Sequence, residues 1–490
     1  RYAVCLESAM AQLLDLDLQE TVDAVTAFLQ TRAVFETHTA AKRLFSLHSY
    51  PILAICGFLG GLLPLGVYLG TSKSTDAKLP PAMVCLFALV GGLDFFCTDQ
   101  FQPSMPHMAE EFQVSKSSMS LSIQAHQVCC GLATLVFGPL SDHIGRRKVL
   151  LFLELLLTLS TLCCASAPSY EVFILGRILQ GIGSSSLAII LAILRDCYEK
   201  EEERLKVAGL LFASMLLGPL IAPPIGGFLA ARFGWRSSFW LLTGVSGSVV
   251  LSSCFMVRET APAAPASSYL AAAWRTLAHR RRFLLLLVMA FLKSTFSILD
   301  NNNAFMLETF HGLPIEQASF LVSLLAFSGV LGVITSSLLG RKPLEVMKLA
   351  FPFVLIAAFG DLLVGLFYSK SLTLYLVCIC FQHFVIMLPN VAANVEFLQD
   401  LEDIAGMASC VQAAGTFSLA SLLSLPALLA EKYGAGSMLC VLASIIFMSL
   451  LSMNELFRMS QDSDSMSKRS DSQSTTAPEG DARGLVPAES

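Results

Sequence analysis

From Gly138 to Val149 the chain reads Gly-Pro-Leu-Ser-Asp-His-Ile-Gly-Arg-Arg-Lys-Val, a charged turn between two apolar stretches, each long enough to cross a bilayer. Charge is costly inside hydrocarbon and cheap at its surface, so Asp142, His143, Arg146, Arg147 and Lys148 must form an aqueous loop between two spans. The three fixed cations put that loop on the cytoplasmic side. In lipid the backbone has to satisfy its own hydrogen bonds, so the apolar stretches are helices. Composition agrees: 54% of residues are hydrophobic and 14% charged, against roughly 25% charged in an ordinary soluble domain.

Windows of about nineteen residues find apolar runs near Pro81 to Phe101, Ser117 to Pro139, Lys148 to Ala167, Glu171 to Tyr198, Val207 to Ala231 and Ser238 to Val257. A polar stretch follows. Six more runs lie near Phe283 to Leu307, Gln317 to Leu339, Val346 to Tyr368, Ser371 to Phe397, Gly406 to Leu429 and Ala435 to Leu456. Each suits a tilted helix in a core about 30 Å thick. The organisation is therefore an all-α membrane protein: a six-helix half at 81–257, a central cytoplasmic loop at 258–282 and a second six-helix half at 283–456.

Lysine and arginine set the orientation. Arg146, Arg147 and Lys148, then Arg195, Lys200, Arg204 and Lys206, then Arg275 and Arg280 to Arg282, then Arg341 and Lys342 fill the loops after even-numbered spans. These loops face the cytoplasm, and so do both ends of the core. The loop after span ten is acidic (Glu396, Asp400, Glu402, Asp403), and acidic residues count little in this rule.

Outside the core, 1–50 has no assignable role, and Arg1 at the start suggests a fragment or processed form. Segment 51–71 is apolar but glycine-rich, and reads as an extra span, a re-entrant piece or the end of an upstream domain. The Ser-rich tail, 457–490, has a disordered composition; Ser463, Ser465 and Ser470 are either phosphorylation sites or simply solvated.

Several function classes drop out. The net charge of −5 and the absence of a basic stripe give no case for nucleic acid. The cysteines sit mostly inside apolar runs, where they behave as small hydrophobes, and no paired CxxC motif points to a metal. No phosphate loop, Gly-x-Ser-x-Gly elbow or His-Glu-x-x-His helix is present, so no enzyme activity and no cofactor are expected.

The opening loop resembles the Gly-x-x-x-Asp-Arg-x-Gly-Arg-Arg signature of the major facilitator superfamily, matched at Gly138, Asp142, Gly145, Arg146 and Arg147. His143 stands where the family usually has Arg or Lys, which makes the loop's charge sensitive to pH. In span five, Gly209, Gly218, Ala222, Pro223, Gly226 and Gly227 are similar in spacing to the family's antiporter motif, with Ala222 replacing a Gly. Ser214, Gly218, Ala222 and Gly226 recur every four residues and form a smooth stripe that a facing helix can approach closely; Pro219, Pro223 and Pro224 are expected to bend the helix. In span four, Arg177-Ile-Leu-Gln180-Gly181-Ile-Gly183 resembles a further family motif. Thr98-Asp99-Gln100-Phe101-Gln102-Pro103 resembles the first helix of the Bcr/CflA drug:proton antiporter branch.

The resemblance implies a twelve-helix fold and proton-coupled export of small amphipathic organic compounds, driven by a proton gradient, from a multi-pass monomer in the plasma membrane. The alternatives are a facilitator or symporter importing one solute, and a non-transporting sensor or scaffold. Asp99 is the matching proton-coupling carboxylate, with Asp94 a second candidate. Five residues turn a helix by about 500°, so the two do not share one face. Arg177 is either the charge that lets this carboxylate ionise or a snorkelling residue near the outer surface. Asp99 itself is either the coupling site or a solvated residue at a helix end, since Pro103 and Pro106 predict that the helix stops soon after it. Gln124, His126, Gln127, Gln180, Lys293, Asp300, Asp361, Gln382 and His383 interrupt apolar runs as candidate cavity-lining residues; the two histidines also fit neutral imidazoles satisfied by neighbouring helices. Asp142 is expected to gate the cytoplasmic side. The loop at Gly340-Arg341-Lys342 is a reduced echo of the first-half loop.

Overall fold

The structure is a computed structural model. It describes residues 79–474 except 199, 216, 262–272, 275, 368–370, 400, 402–404 and 431–434. Segments 1–50 and 51–71, residues 262–272 and 275 of the central loop, and the tail beyond 474 lie outside the described residues.

The first half opens with α1 (Pro81–Asp99), a 3-10 turn (Gln102–Ser104) and α2 (Met105–Glu111). Next come α3 (Lys116–Ile144), α4 (Arg146–Ser166), α5 (Tyr170–Gly183) and α6 (Ser186–Cys197). It ends with α7 (Glu201–Met215), α8 (Leu217–Phe233) and α9 (Arg236–Met256). The second half comprises α10 (Arg280–Phe305) with a π turn (Met306–Phe310), α11 (Ile315–Leu338), α12 (Pro343–Phe367), α13 (Leu372–Leu398), α14 (Ala405–Ala430) and α15 (Ala435–Ser474). Eleven helical runs among the described residues are long and apolar enough to span a membrane, and the shorter apolar α8 belongs to the remaining expected span.

Local chemistry explains the boundaries. Ser115 caps α3, its Oγ accepting from the Ser118 N–H at 3.0 Å. Gly145, at φ +114°, ends α3 and opens α4 within one residue, a backbone geometry that disfavours any side chain. Large apolar side chains cover the outside of the bundle: Leu159 is 54% exposed, Phe320 66% and Leu363 53%. Arg146, Arg177, Glu154 and Asp361 are buried. Lipid as solvent produces this inversion of the soluble pattern.

Two expectations need correction, and one is borne out. The first helix ends at Asp99, as expected, and after a 3-10 turn the chain continues in a short second helix to Glu111. Pro103 and Pro106 both fall in the opening turn of a new helical segment, where a missing N–H breaks no helical bond, so they redirect the path of the chain. The fourth span is broken into α5 and α6 at Ser184–Ser185, directly after Gly181 and Gly183, a glycine/serine kink. The last helix runs through Ser474, into the segment read as disordered. A helix already nucleated in the membrane extends residue by residue without a new nucleation cost.

Candidate functional site

The charged turn folds into an ion network at one end of the bundle. Arg146 is 1% exposed. It pairs with Asp142, donates from Nε to Asp196 Oδ2 at 3.1 Å and from Nη1 to Ser141 Oγ at 2.5 Å. Its backbone N–H donates to Glu259 Oε1 at 2.7 Å. Glu259 also accepts from the N–H groups of Thr260 and Ala261. A Cβ on Gly145 would collide with the Glu259 carboxylate. Arg147 donates to the Cys254 carbonyl in the last turn of α9 at 2.7 Å, satisfying a carbonyl that the helix end leaves open. The network ties together α3, α4, α6 and the chain leaving α9.

Asp94, Asp99, His126, Gln127 and Lys293, all singled out by sequence, line one cavity between the halves, together with Phe95, Phe296 and Phe417. The space free of atoms, mouth included, is about 540 Å³. Both aspartates lie within α1, Asp99 as its last residue, and both line the cavity. Asp94 Oδ1 lies 3.4 Å from His126 Nε2. Asp99 is 8% exposed and accepts from Gln102 Nε2 at 2.9 Å.

Arg177 does not snorkel; it is fully buried. It donates to the Cys97 carbonyl at 3.0 Å and to Gln180 Oε1, and its guanidinium lies 4.7 Å from the Phe101 ring centroid. Nε and Nη2 have no hydrogen-bond partner. The carboxylate expected beside it is therefore not among its hydrogen-bond acceptors, although the charge sits against the same turn of α1 that carries Asp99.

The small-residue stripe packs on α1. A side chain at Gly218 would press on Phe95, one at Gly226 would collide with the Gln100 carbonyl, and one at Gly227 would meet Ser319 of α11 in the other half. Ala222 and Pro223 are buried in the same helix. Gly209 is different: nothing lies near its missing Cβ. The side chain of Ser214 lies outside the described residues.

The halves meet on both sides of the cavity. Toward the network, Gly138 sits against Cys410 of α14, and Asp142 lies one turn further along α3. Toward the other end, His107 Nδ1 and Glu308 Oε2 are 3.6 Å apart, and Lys116 Nζ lies 5.4 Å from the Phe305 ring. Between them, Gln127 Oε1 accepts from Ser297 Oγ at 3.0 Å and Ser421 Oγ at 3.3 Å, both from the second half. Gln124 is 3.4 Å from Ser424 Oγ.

Five candidates with described side chains are not among the cavity-lining residues: Gln124, which reaches toward Ser424, and four others. Gln180 is spent on Arg177 and Thr161. Asp361 is buried between α12 and α13, accepting from Cys378 Sγ at 3.0 Å. His383 bonds through Nδ1 to the Ile379 carbonyl of its own helix at 2.9 Å, while its buried Nε2 has no hydrogen-bond partner among the described residues. Gln382 is buried with neither side-chain polar atom bonded. An apolar run interrupted by one polar residue signals an inward-facing position but not which interior space it meets. The Asp300 side chain lies outside the described residues. Sequence reading passed over Glu259, Glu308 and Glu154, the last of which accepts from Ser253 Oγ at 3.0 Å. Glu154 was detectable, as an acid within Phe152 to Leu157; the partners of the other two were not.

The described residues thus form two helical halves around a charged cavity, with an ion network at one end. The sequence profile of the Major Facilitator Superfamily matches residues 82–423, and the chain belongs to that family. It is 30% identical over 191 residues to the multidrug resistance protein MdtL of Escherichia coli (strain K12), a stretch covering 38% of this chain and 47% of that protein. The match thus spans about half the length of that relative. Among solved structures, a D-xylose-proton symporter aligns with a TM-score of 0.63 at 16% identity, covering 76% of this chain and 96% of the symporter. The human organic anion transporter MFSD10 (TETRAN) aligns at 0.57 and 18% identity, covering 76% of this chain and 100% of the transporter. At such identities these likenesses speak for the fold alone. The protein is a multi-pass integral membrane protein of that family.

Proposed function

We propose that this protein is a proton-coupled exporter of small amphipathic organic compounds, working as a monomer in the plasma membrane. The observation that carries this reading is the pair of carboxylates, Asp94 and Asp99, in a cavity between the halves with the buried Arg177 cation behind them. A carboxylate so placed exchanges a proton with one side and a substrate with the other, and its charge state biases the inward- against the outward-facing arrangement. The resemblance to MdtL favours a drug-like cargo. The spacing of the glycines in α7 and α8 favours export over import, and the Arg146 network supplies a gate on the cytoplasmic side. The energy source is the proton gradient, with no cofactor.

Vesicles reconstituted with the purified protein and an imposed pH gradient test this, using a panel of cationic, neutral and anionic compounds. Asp99→Asn is expected to abolish uphill movement while leaving downhill exchange partly intact, because an amide keeps the size but cannot release a proton. Arg177→Ala is expected to impair the same step, and Arg177→Lys to restore part of it, since lysine keeps the charge but loses the planar fork. Full gradient-driven export by Asp99→Asn moves the proton site to Asp94. Accumulation along the proton gradient, in place of export against it, overturns antiport in favour of a symporter.

A further inference from the structure

We infer that the cavity selects small aromatic zwitterions, holding the ammonium group on the wall of Asp94 and Asp99 and the anionic group on the opposite wall at Lys293. This rests on the reading of the cavity as the transport site and adds the substrate class.

The argument begins with where the charges lie. Asp94 and Asp99 come from α1 in the first half, and Lys293 comes from α10 in the second. Arg177 stands behind the carboxylate wall, fully buried, with two of its nitrogens unbonded. Two negative and two positive side chains therefore line or back the space: the charges cancel in sum but stay apart, with acid on one half and a cation on the other. Among the described residues Lys293 makes no hydrogen bond or ion pair; it lies 4.9 Å from the Phe296 ring centroid and 5.5 Å from that of Phe417. Ring faces attract an ammonium without neutralising it, so Lys293 remains available to an anion.

A simple organic cation would satisfy the carboxylates but sit in one water-poor space with an unmatched lysine. A simple anion would do the reverse. A molecule carrying both charges matches each wall and removes both mismatches at once. Phe95 of the first half and Phe296 and Phe417 of the second also line the cavity, and aromatic walls suit an aromatic body.

Four probes that share an indole ring separate the possibilities: tryptamine (cation), tryptophan (zwitterion), indole-3-propionate (anion) and 3-ethylindole (neutral). Binding to the purified full chain in detergent is measured by calorimetry near pH 7.4. Tryptophan is expected to bind at least about tenfold tighter than each of the others. Lys293→Gln is expected to weaken tryptophan about tenfold and leave tryptamine equal or tighter, whereas Lys293→Arg keeps the preference for tryptophan. The double variant Asp94→Asn, Asp99→Asn is expected to favour indole-3-propionate. Equal binding of tryptamine and tryptophan, with Lys293→Gln changing neither, overturns the inference. So does the failure of all four to bind. The exporter reading is judged separately, by gradient-driven movement of ethidium in vesicles. If ethidium moves while no indole binds, only the zwitterion inference falls; if the predicted swaps occur and no compound moves under a gradient, only the exporter reading falls.

Discussion

The loops that follow the second span of each half share a backbone turn and differ in almost everything else. Both turn on a glycine in left-handed conformation, Gly145 at φ +114° and Gly340 at φ +59°. Around Gly145 the side chains close into a network in which Arg146 meets Asp142, Asp196, Ser141 and Glu259. Around Gly340 there is open space, and Arg341 and Lys342 are exposed. An internal repeat has thus kept the turn on both sides and the ion network on one. The turn is needed by any helical hairpin; the network is specific to one half. A residue's presence in both loops therefore speaks for architecture, and its presence in one speaks for the working cycle.

The largest test of this contrast replaces the central cations. Arg146→Ala removes a buried cation from partly exposed carboxylates and is expected to destabilise the purified protein by about 1.5–3 kcal/mol, the usual range for a hydrogen bond to a charged group. Arg341→Ala is expected to change stability by less than about 0.5 kcal/mol, as exposed substitutions do. Thermal unfolding in detergent reads both, and equal effects would erase the distinction between the loops. A smaller difference is expected at the glycines. Gly340→Ala carries only the left-handed strain, roughly 1 kcal/mol, while Gly145→Ala adds displacement of the Glu259 carboxylate. Should the two cost the same, the Glu259 contact contributes nothing. The smallest effect is expected at His143, which is exposed. His143→Arg should leave stability within about 0.5 kcal/mol and flatten the pH profile of transport measured on the loop side. An unchanged profile would remove His143 from the loop's function.

The contrast between loops also shows what sequence can reveal. Span ends were readable because charges sit where hydrocarbon stops: Arg146, Arg236 and Arg280 each begin a helix. The helix end before Pro103 and Pro106 was readable, but the short helix that follows was not, because a proline in an opening turn starts a new helix as readily as it stops one. The polar cavity wall was readable as a set, since Asp94, Asp99, His126, Gln127 and Lys293 each interrupt an apolar run. Their grouping apart from Asp361 and His383 was not, because a helix face does not say which neighbour it meets. The network was half legible: Asp142 and Arg146 lie within one turn of each other, but Asp196 and Glu259 reach Arg146 across 50 and 113 residues. Local spacing carries no record of such pairs.

The fastening at Gln127 has a consequence for how firmly the halves close. One amide oxygen holds two serine hydroxyls from the opposite half, with no formal charge in any of the three groups. Neutral hydrogen bonds of this kind contribute about 0.5–1.5 kcal/mol each after exchange with water. Releasing both multiplies the parted population by about fivefold to about 150-fold, a change that a single proton or cargo molecule can drive. An ion pair at the same place would hold the halves shut for longer and make turnover wait on its rupture. Neutral hydroxyls at the centre therefore make this a weaker fastening between the halves than an ion pair would be.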